Sequence, residues 1–257
     1  MAGGQALLVL LALLFALAAG LVGCFALMKR MVLASDVISH LALPGLGIAY
    51  LLKFNPLIGG AATLFLGTLL VWQLQKKTGL AADASIGVVF ASALAIGAAV
   101  TPREDLIEAL FGELRSISLL GFFLGLVATL LVVLSVILLK DRLALSVFSP
   151  DLAEATGVNV ARVNLIYFLV FSLTVLVGLR FMGTLLASAL IILPAATARH
   201  LTEKLSHFLL VSSAISLVSV LAGFVLNALV LRLSTVGPTI IIFSALLFAL
   251  SFLKRTT

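Results

Sequence analysis

The chain has 257 residues, of which 63% are hydrophobic and only 10% are charged. Soluble domains have roughly 45–50% apolar and about 25% charged residues, so this composition excludes a water-soluble protein. The net charge is +6, but the Lys and Arg residues stand singly or in pairs at the ends of apolar runs. That placement is typical of a membrane protein and not of a nucleic-acid-binding surface. We therefore expect an all-α, multi-pass membrane protein in a lipid bilayer.

Apolar runs follow one another along nearly the whole chain. A helix needs about 20 mainly apolar residues to cross the hydrocarbon core, so the sequence predicts about nine crossings in one transmembrane domain, residues 1–257. About eight is the alternative, if the run with Asp36 and His40, or the one that ends at Pro194, is broken or re-entrant. The first run is too long for a signal peptide, and we interpret it as a retained helix. The runs lie at 5–28, 37–53, 56–75, 83–101, 117–139, 163–180, 183–198, 207–231 and 238–253.

The distribution of basic residues predicts the orientation. Loops on the cytoplasmic side carry an excess of Lys and Arg. With the N-terminus outside, most of the 16 Lys and Arg residues fall on the inner side. This arrangement places four basic pairs in the cytoplasm: Lys29/Arg30, Lys76/Lys77, Lys140/Arg142 and Lys254/Arg255.

Asp36 and His40 form the most informative polar constellation. They stand four residues apart near the start of an apolar run, so a helix would place them on one face, where carboxylate and imidazole can ligate one metal ion. Ionisable residues within a span usually line a bundle interior or a watery path. Pro44, Gly45 and Gly47 follow, as expected where a helix is broken or closely packed. The alternative is that Asp36 and His40 only pair with each other or lie at the interface.

Other polar residues have structural interpretations. Asp83 fits an acidic N-cap, and Asn227 fits an interhelical hydrogen bond. We expect His200 and His207 to be solvated or interfacial, and the acidic residues of segment 104–113 to face solvent. Cys24 is the only cysteine, which excludes an intrachain disulfide or a cysteine metal cluster.

The inner polar segment, about residues 143–162, contains SPDLAEATGVNVAR. Ser149 can cap a short helix that begins at Pro150, and such a helix in an inner loop is a natural docking element. The chain has none of the phosphate-loop, metalloprotease or nucleophile-elbow motifs. We therefore expect no enzymatic activity and any coupling to ATP to come from another subunit.

Several segments, in order, resemble the metal-specific permease family of ABC importers. The resemblance covers nearly the whole chain and rests on ASDVISHLALPGLGIAY at 34–50, IGVVFASALAIG at 86–97, LFGELRSIS at 110–118, SPDLAEATGVNVARV at 149–163, GTLLASALIILPAATAR at 183–199 and VGPTIII at 236–242.

The resemblance implies an ABC importer permease fold in the cell inner (cytoplasmic) membrane. It also implies a permease homodimer, two cytoplasmic ATPase subunits, and a periplasmic or extracellular metal-binding protein. The cargo would be Zn²⁺, our first expectation, or Mn²⁺ or Fe²⁺, with no permanently bound cofactor.

The family's Asp-x-x-x-His pathway pair falls on Asp36 and His40. The loop that docks on the ATPase falls on residues 149–158, which we call the docking loop. Its matching positions are Ser149, Pro150, Asp151, Glu154 and Gly157. Glu113 stands where the family has Asp, which puts the role of that position in doubt.

Three other classes of protein compete with this interpretation. A secondary transporter using Asp36 or Asp83 would predict related halves with paired broken helices, and the sequence has no such symmetry. A membrane-embedded enzyme is disfavoured by the lack of a dense ligand cluster. The docking loop argues against that enzyme and against a passive channel or scaffold.

Overall fold

The computed structural model describes residues 2–31, 34–100, 119–231 and 236–253. Within these ranges the chain is helical and contains no β-strand. A 3₁₀ turn, His40–Ala42, precedes α3, and a π-helical turn, Asn227–Leu231, follows α10. The helices are α1 Ala2–Met28, α2 Ala34–Ser39, α3 Leu43–Leu52, α4 Pro56–Thr78, α5 Ala82–Val100, α6 Leu119–Phe148, α7 Pro150–Ala155, α8 Val160–Met182, α9 Thr184–Leu201, α10 Leu205–Leu226 and α11 Gly237–Ser251.

The helices match the predicted apolar runs. Among the described residues, 7 segments are long and apolar enough to cross a membrane, and α9 and α11 supply two shorter apolar helices. Each predicted run overlaps one of these segments. The prediction of an all-α, multi-pass membrane protein is therefore confirmed.

Helix α1 packs against α6, α8, α9 and α10. Phe15, Val22 and Phe25 on this helix are fully buried. A β-carbon on Gly23 would overlap the backbone carbonyl of Ile191 in α9, so these two helices approach through a glycine, as is common between membrane helices. Small residues thus set the close spacing around α1.

The second apolar run is interrupted between α2 and α3. A proline has no N–H, and its ring collides with the carbonyl four residues earlier, so Pro44 prevents a continuous α-helix through His40. The carbonyl of His40 accepts instead from the N–H of Leu43, three residues later. The broken helix that we considered for this run is therefore present.

Helices α3 and α4 cross at two glycines. A β-carbon on Gly45 would overlap the carbonyl of Gly59, and one on Gly59 would overlap the carbonyl of Gly45. The backbone contact holds α3 against α4 immediately after the break. The close packing predicted around Gly45 is present.

Candidate metal pathway and docking loop

Asp36 and His40 lie on either side of the point where α2 ends. Asp36 is in the first turn of α2, and His40 begins the 3₁₀ turn. The hydroxyl of Ser39 donates to the carbonyl of Asp36 at 2.6 Å, so Ser39 uses its hydrogen bond within α2. Both Asp36 and His40 are half-buried. Helix α2 packs against α5, α8 and α9, which places the pair among several helices.

His40 has an unsatisfied ring nitrogen. Its Nδ1 atom is buried and has no hydrogen-bond partner among the described residues. The ring of His40 lies 5.8 Å from the ring of Phe90 in α5, centroid to centroid. Buried polar atoms usually have a partner, so an unpaired imidazole nitrogen beside a helix break leaves a position for a ligand.

One copy of the chain does not assemble a complete metal site from the residues described. Among them, no group of three or more His, Cys, Asp or Glu residues is arranged to hold a metal ion. Asp36 and His40 together can offer a carboxylate and an imidazole, which suit a first-row divalent ion. Two ligands give a weak contact, and such a contact fits a site that must release its ion.

Helix α5, which contacts His40 through Phe90, has the smallest buried fraction of the seven candidate membrane spans. Only 17% of the residues in its apolar window are buried, against 61% for α1. A β-carbon on Gly87 would meet no atom within 4 Å. One exposed stripe of α5 consists of small residues three or four apart, the spacing typical of close packing between membrane helices: Ala84, Gly87, Ala91, Ala95 and Ala98.

The docking loop begins with a short helix. Pro150 occupies the first turn of α7, as predicted. Ser149 stands at the N-cap, but its side chain makes no capping hydrogen bond; its carbonyl accepts from the N–H of Ala153 at 3.0 Å. The N-terminus of α7 is therefore stabilised by backbone hydrogen bonds, and the predicted capping by the Ser149 side chain is wrong.

The loop closes on Gly157, which has φ +82°. This is the left-handed region that glycine adopts at low cost. The N–H of Val158 donates to the carbonyl of Ala153 at 2.9 Å, and Ala153 is fully buried. Asp151 and Glu154 are exposed. The loop is thus anchored through one alanine and presents its acidic side chains outward.

Two clefts border the docking loop. The larger, about 780 Å³, is lined by Trp72, Lys76, Glu154 and Arg162, and the smaller, about 350 Å³, lies on the side of Arg142. The indole N–H of Trp72 donates to the carbonyl of Ala161 at 3.0 Å, which ties α4 to the start of α8. The exposed acid Glu154 therefore shares the larger cleft with two basic side chains, Lys76 and Arg162.

The remaining predicted residues are dispersed. Asp83 is exposed in the first turn of α5, and Asn227 begins the π-helical turn. His207 is exposed. His200 is half-buried: its Nδ1 lies 3.2 Å from the hydroxyl of Ser251, and its ring lies 5.4 Å from the ring of Phe248 in α11, centroid to centroid.

Sequence reasoning missed a cluster around Lys29. Its Nζ donates to Oδ1 of Asn164 at 2.6 Å and lies 5.4 Å from the centre of the Tyr167 ring. Burial lowers the pKa of Lys29 to about 8. The sequence marked Lys29 only as half of a basic pair, because Asn164 is 135 residues away along the chain.

Some predicted features lie outside the described residues. These are the acidic segment 104–113, the LFGELRSIS match at 110–118 with Glu113, and the basic pair Lys254/Arg255.

Known proteins are similar to this chain over most of its length. The model of the ABC 3 transport family matches residues 5–255. The manganese transport system membrane protein MntC of Halalkalibacterium halodurans is 32% identical over 246 residues, which cover 94% of this chain and 84% of that protein. The high-affinity zinc uptake system membrane protein ZnuB of Haemophilus influenzae is 30% identical over 239 residues, which cover 91% of this chain and 90% of that protein.

A solved structure has the same fold. The structure of PsaBC from Streptococcus pneumoniae in complex with Fab matches with a TM-score of 0.79 at 25% identity. The match covers 96% of this chain and 90% of the chain in that structure. The similarity in fold therefore extends over nearly the whole of both chains.

Proposed function

Because this chain belongs to the ABC 3 transport family, whose model matches residues 5–255, we propose that it is the permease subunit of an ATP-driven importer for zinc or manganese in the cytoplasmic membrane. The observation that carries the proposal is the similarity, over more than nine-tenths of the chain, to relatives named for manganese transport and for zinc uptake. A lone permease of this kind hydrolyses no ATP, and it works with a separate ATPase and a metal-binding protein.

The proposed pathway passes the break between α2 and α3. Asp36 and the imidazole of His40 contact the ion in transit, and the unpaired, buried Nδ1 of His40 supports this role. Imidazole and carboxylate accept Zn²⁺, Mn²⁺ and Fe²⁺, so these ligands do not choose between them. The choice of metal then resides mainly in the metal-binding protein that delivers the ion.

Two permeases form the complete pathway in this proposal. The exposed small-residue face of α5 lets two copies approach closely, and His40 lies against that same helix through Phe90. A dimer built through α5 would bring each copy's Asp36 and His40 towards the shared axis. The described residues of one chain contain no group of three or more metal ligands. In the proposed dimer, Asp36 and His40 of both chains would together form such a group.

The docking loop is the proposed contact with the ATPase. Its acids Asp151 and Glu154 are exposed, and Leu152 is 52% exposed beside them. In this proposal Leu152 lies at the apolar centre of the contact and the two acids lie at its polar rim. Movement of the ATPase would reach the pathway through α6 and α8, which flank the loop.

Reconstitution tests this function. The permease is incorporated into proteoliposomes with its candidate ATPase and metal-binding protein, and uptake of radiolabelled zinc and manganese is measured separately and in competition. We expect uptake that requires ATP and stops with a hydrolysis-deficient ATPase. Uptake driven by an ion gradient without any ATPase would instead identify a secondary transporter.

A further inference from the structure

A cleft that the proposed transport does not use lies beside Lys29. Its volume is about 280 Å³. Polar side chains line one part, and apolar side chains, including Met28 and Phe168, line the rest. The polar residues are Lys29, Arg30, Gln75 and Asn164.

The polar part of the cleft is rich in donors and positive charge. Nε2 of Gln75 is buried and has no hydrogen-bond partner in the described part of the chain. Nζ of Lys29 is held by Oδ1 of Asn164, and Arg30 is exposed at the rim. None of the described residues that line the cleft is acidic. Two cations and an unpaired amide donor without a carboxylate favour an anion.

The cleft lies at the boundary of the membrane. Lys29 directly follows the span Leu7–Met28, and Gln75 is in the last turns of the span Pro56–Thr78. Asn164 is in the second turn of α8. These positions share one end of the bundle, the end that the basic pairs assign to the cytoplasm. An anion there would meet the polar donors and also the apolar side chains of Met28 and Phe168.

We propose that this cleft binds the phosphate of an anionic phospholipid headgroup. Lys29 and Arg30 supply the charge, and the free amide of Gln75 donates a hydrogen bond to a phosphate oxygen. Basic pockets between spans at the cytoplasmic face suit such headgroups. A lipid fits better than a soluble anion because two apolar residues that line the cleft, Met28 and Phe168, lie further into their spans than Lys29 and Asn164 do.

The test measures lipid preference of the full-length protein in bilayer nanodiscs. Binding of spin-labelled phosphatidylglycerol is compared with that of spin-labelled phosphatidylcholine, for the parent and for three variants. Lys29→Gln removes one charge, Gln75→Met removes the amide donor, and Arg30→Asn removes a charge while tolerating the left-handed backbone (φ 56°) at this position. We expect each charge removal to lower the relative affinity for phosphatidylglycerol about fivefold, and Gln75→Met to lower it as well.

Lys77→Gln is the matched control. Lys77 is an exposed lysine in the last turn of α4, close to Gln75 in the sequence, and it does not line the cleft. This variant should keep the parental preference. Arg30→Asn and Gln75→Met keep the test decisive if Lys29→Gln fails to fold. An equal loss in Lys77→Gln, or an unchanged preference in the cleft variants, would overturn the proposal.

Two further outcomes would also overturn it. Displacement of labelled phosphatidylglycerol by inorganic phosphate at equal concentration would identify a soluble-anion site. Cleft variants that bind the ATPase more weakly but keep the lipid preference would identify a protein contact.

Discussion

The ring of His40 lies 5.8 Å from the ring of Phe90, centroid to centroid. This contact joins the break in the second apolar run to α5, the helix whose small-residue face is exposed. A side chain proposed to meet the ion is therefore positioned by the helix proposed to form the dimer. The proposed pathway and the proposed dimer interface therefore share one packing contact.

We predict that Asp36→Asn and His40→Ala each reduce metal uptake by at least about tenfold, because each removes one of the two ligands proposed for each chain. Uptake of zinc and of manganese in reconstituted vesicles is the measurement, with gel filtration as the check on assembly. Asp83→Asn, at an exposed position in α5, is the control and should retain uptake. Parental uptake by well-assembled His40→Ala would show that the pair is structural.

The docking loop should couple the ATPase to transport. Glu154→Lys reverses an exposed charge, and Gly157→Val imposes a side chain on a residue with φ +82°, a conformation that β-branched residues avoid. We expect either change to separate ATP hydrolysis from uptake or to abolish complex formation, as measured by copurification and by uptake per ATP hydrolysed. Glu203→Lys, another exposed acid, should remain coupled. Equal effects of Glu154→Lys and Glu203→Lys would speak against a specific docking role.

The α5 face should support dimer formation. Gly87→Leu fills an exposed position where even a β-carbon meets no neighbour within 4 Å in the same chain, so it should weaken association and leave the monomer fold intact. The dimer fraction can be measured by mass photometry in detergent. Ala214→Leu, at an exposed position of α10, is the control. A dimer fraction that does not change in Gly87→Leu would exclude α5 as the interface.

The orientation predicted from the basic residues can be tested by labelling single cysteines in a Cys24→Ser background. We expect an impermeant reagent added to intact cells to label Phe54→Cys, between α3 and α4, and to spare Leu152→Cys in the docking loop. Both positions are exposed in the structure, so protection would report the side of the membrane. Labelling of Leu152→Cys from outside would reverse the topology.

Lys29 should give the protein a specific pH dependence. Burial lowers its pKa from 10.5 to about 8. Below the lower value both the folded and the unfolded chain hold the proton, and the cost of burying the ammonium group is fully present. Between the two values the unfolded chain binds more protons than the folded chain, so the free energy of unfolding rises with pH.

Replacement of Lys29 by Met should reduce the increase in the free energy of unfolding with pH. The measurement is equilibrium unfolding in a zwitterionic detergent across the pH window between the two pKa values. Lys77→Met, which changes an exposed lysine, should keep the parental slope. If Lys29→Met also keeps that slope, other groups are responsible for it.

Structural features that depend on residues close together in the sequence could be predicted. The break at His40 follows from Pro44 through the missing N–H and the ring clash. The short helix after Ser149 follows from Pro150 in its first turn. The prediction that the Ser149 side chain caps this helix was wrong. The rotamer of a capping side chain depends on the packing around it, which the local sequence does not specify.

Contacts between distant residues could not be predicted. The hydrogen bonds from Lys29 to Asn164 and from Trp72 to Ala161 join positions 135 and 89 residues apart. Apolar periodicity does not identify the partners of a membrane helix, because an apolar face is equally well accommodated by lipid and by another apolar helix. The sequence analysis placed Trp72 and Asn164 in separate predicted runs, Lys29 in a basic pair and Ala161 in the inner polar segment. It predicted nothing that joins them.

The sequence by itself determined that this chain crosses a bilayer and roughly where its apolar helices lie, and it offered a break in the second run as one alternative. The physical reason is that the backbone must satisfy its hydrogen bonds within each apolar segment, so local composition is sufficient. Only the tertiary structure decided that α5 keeps its small residues exposed while α1 is enclosed, and that Lys29 meets Asn164. Those outcomes depend on which glycines let two backbones approach, as Gly45 and Gly59 do, and shape complementarity of that kind emerges only when the helices pack.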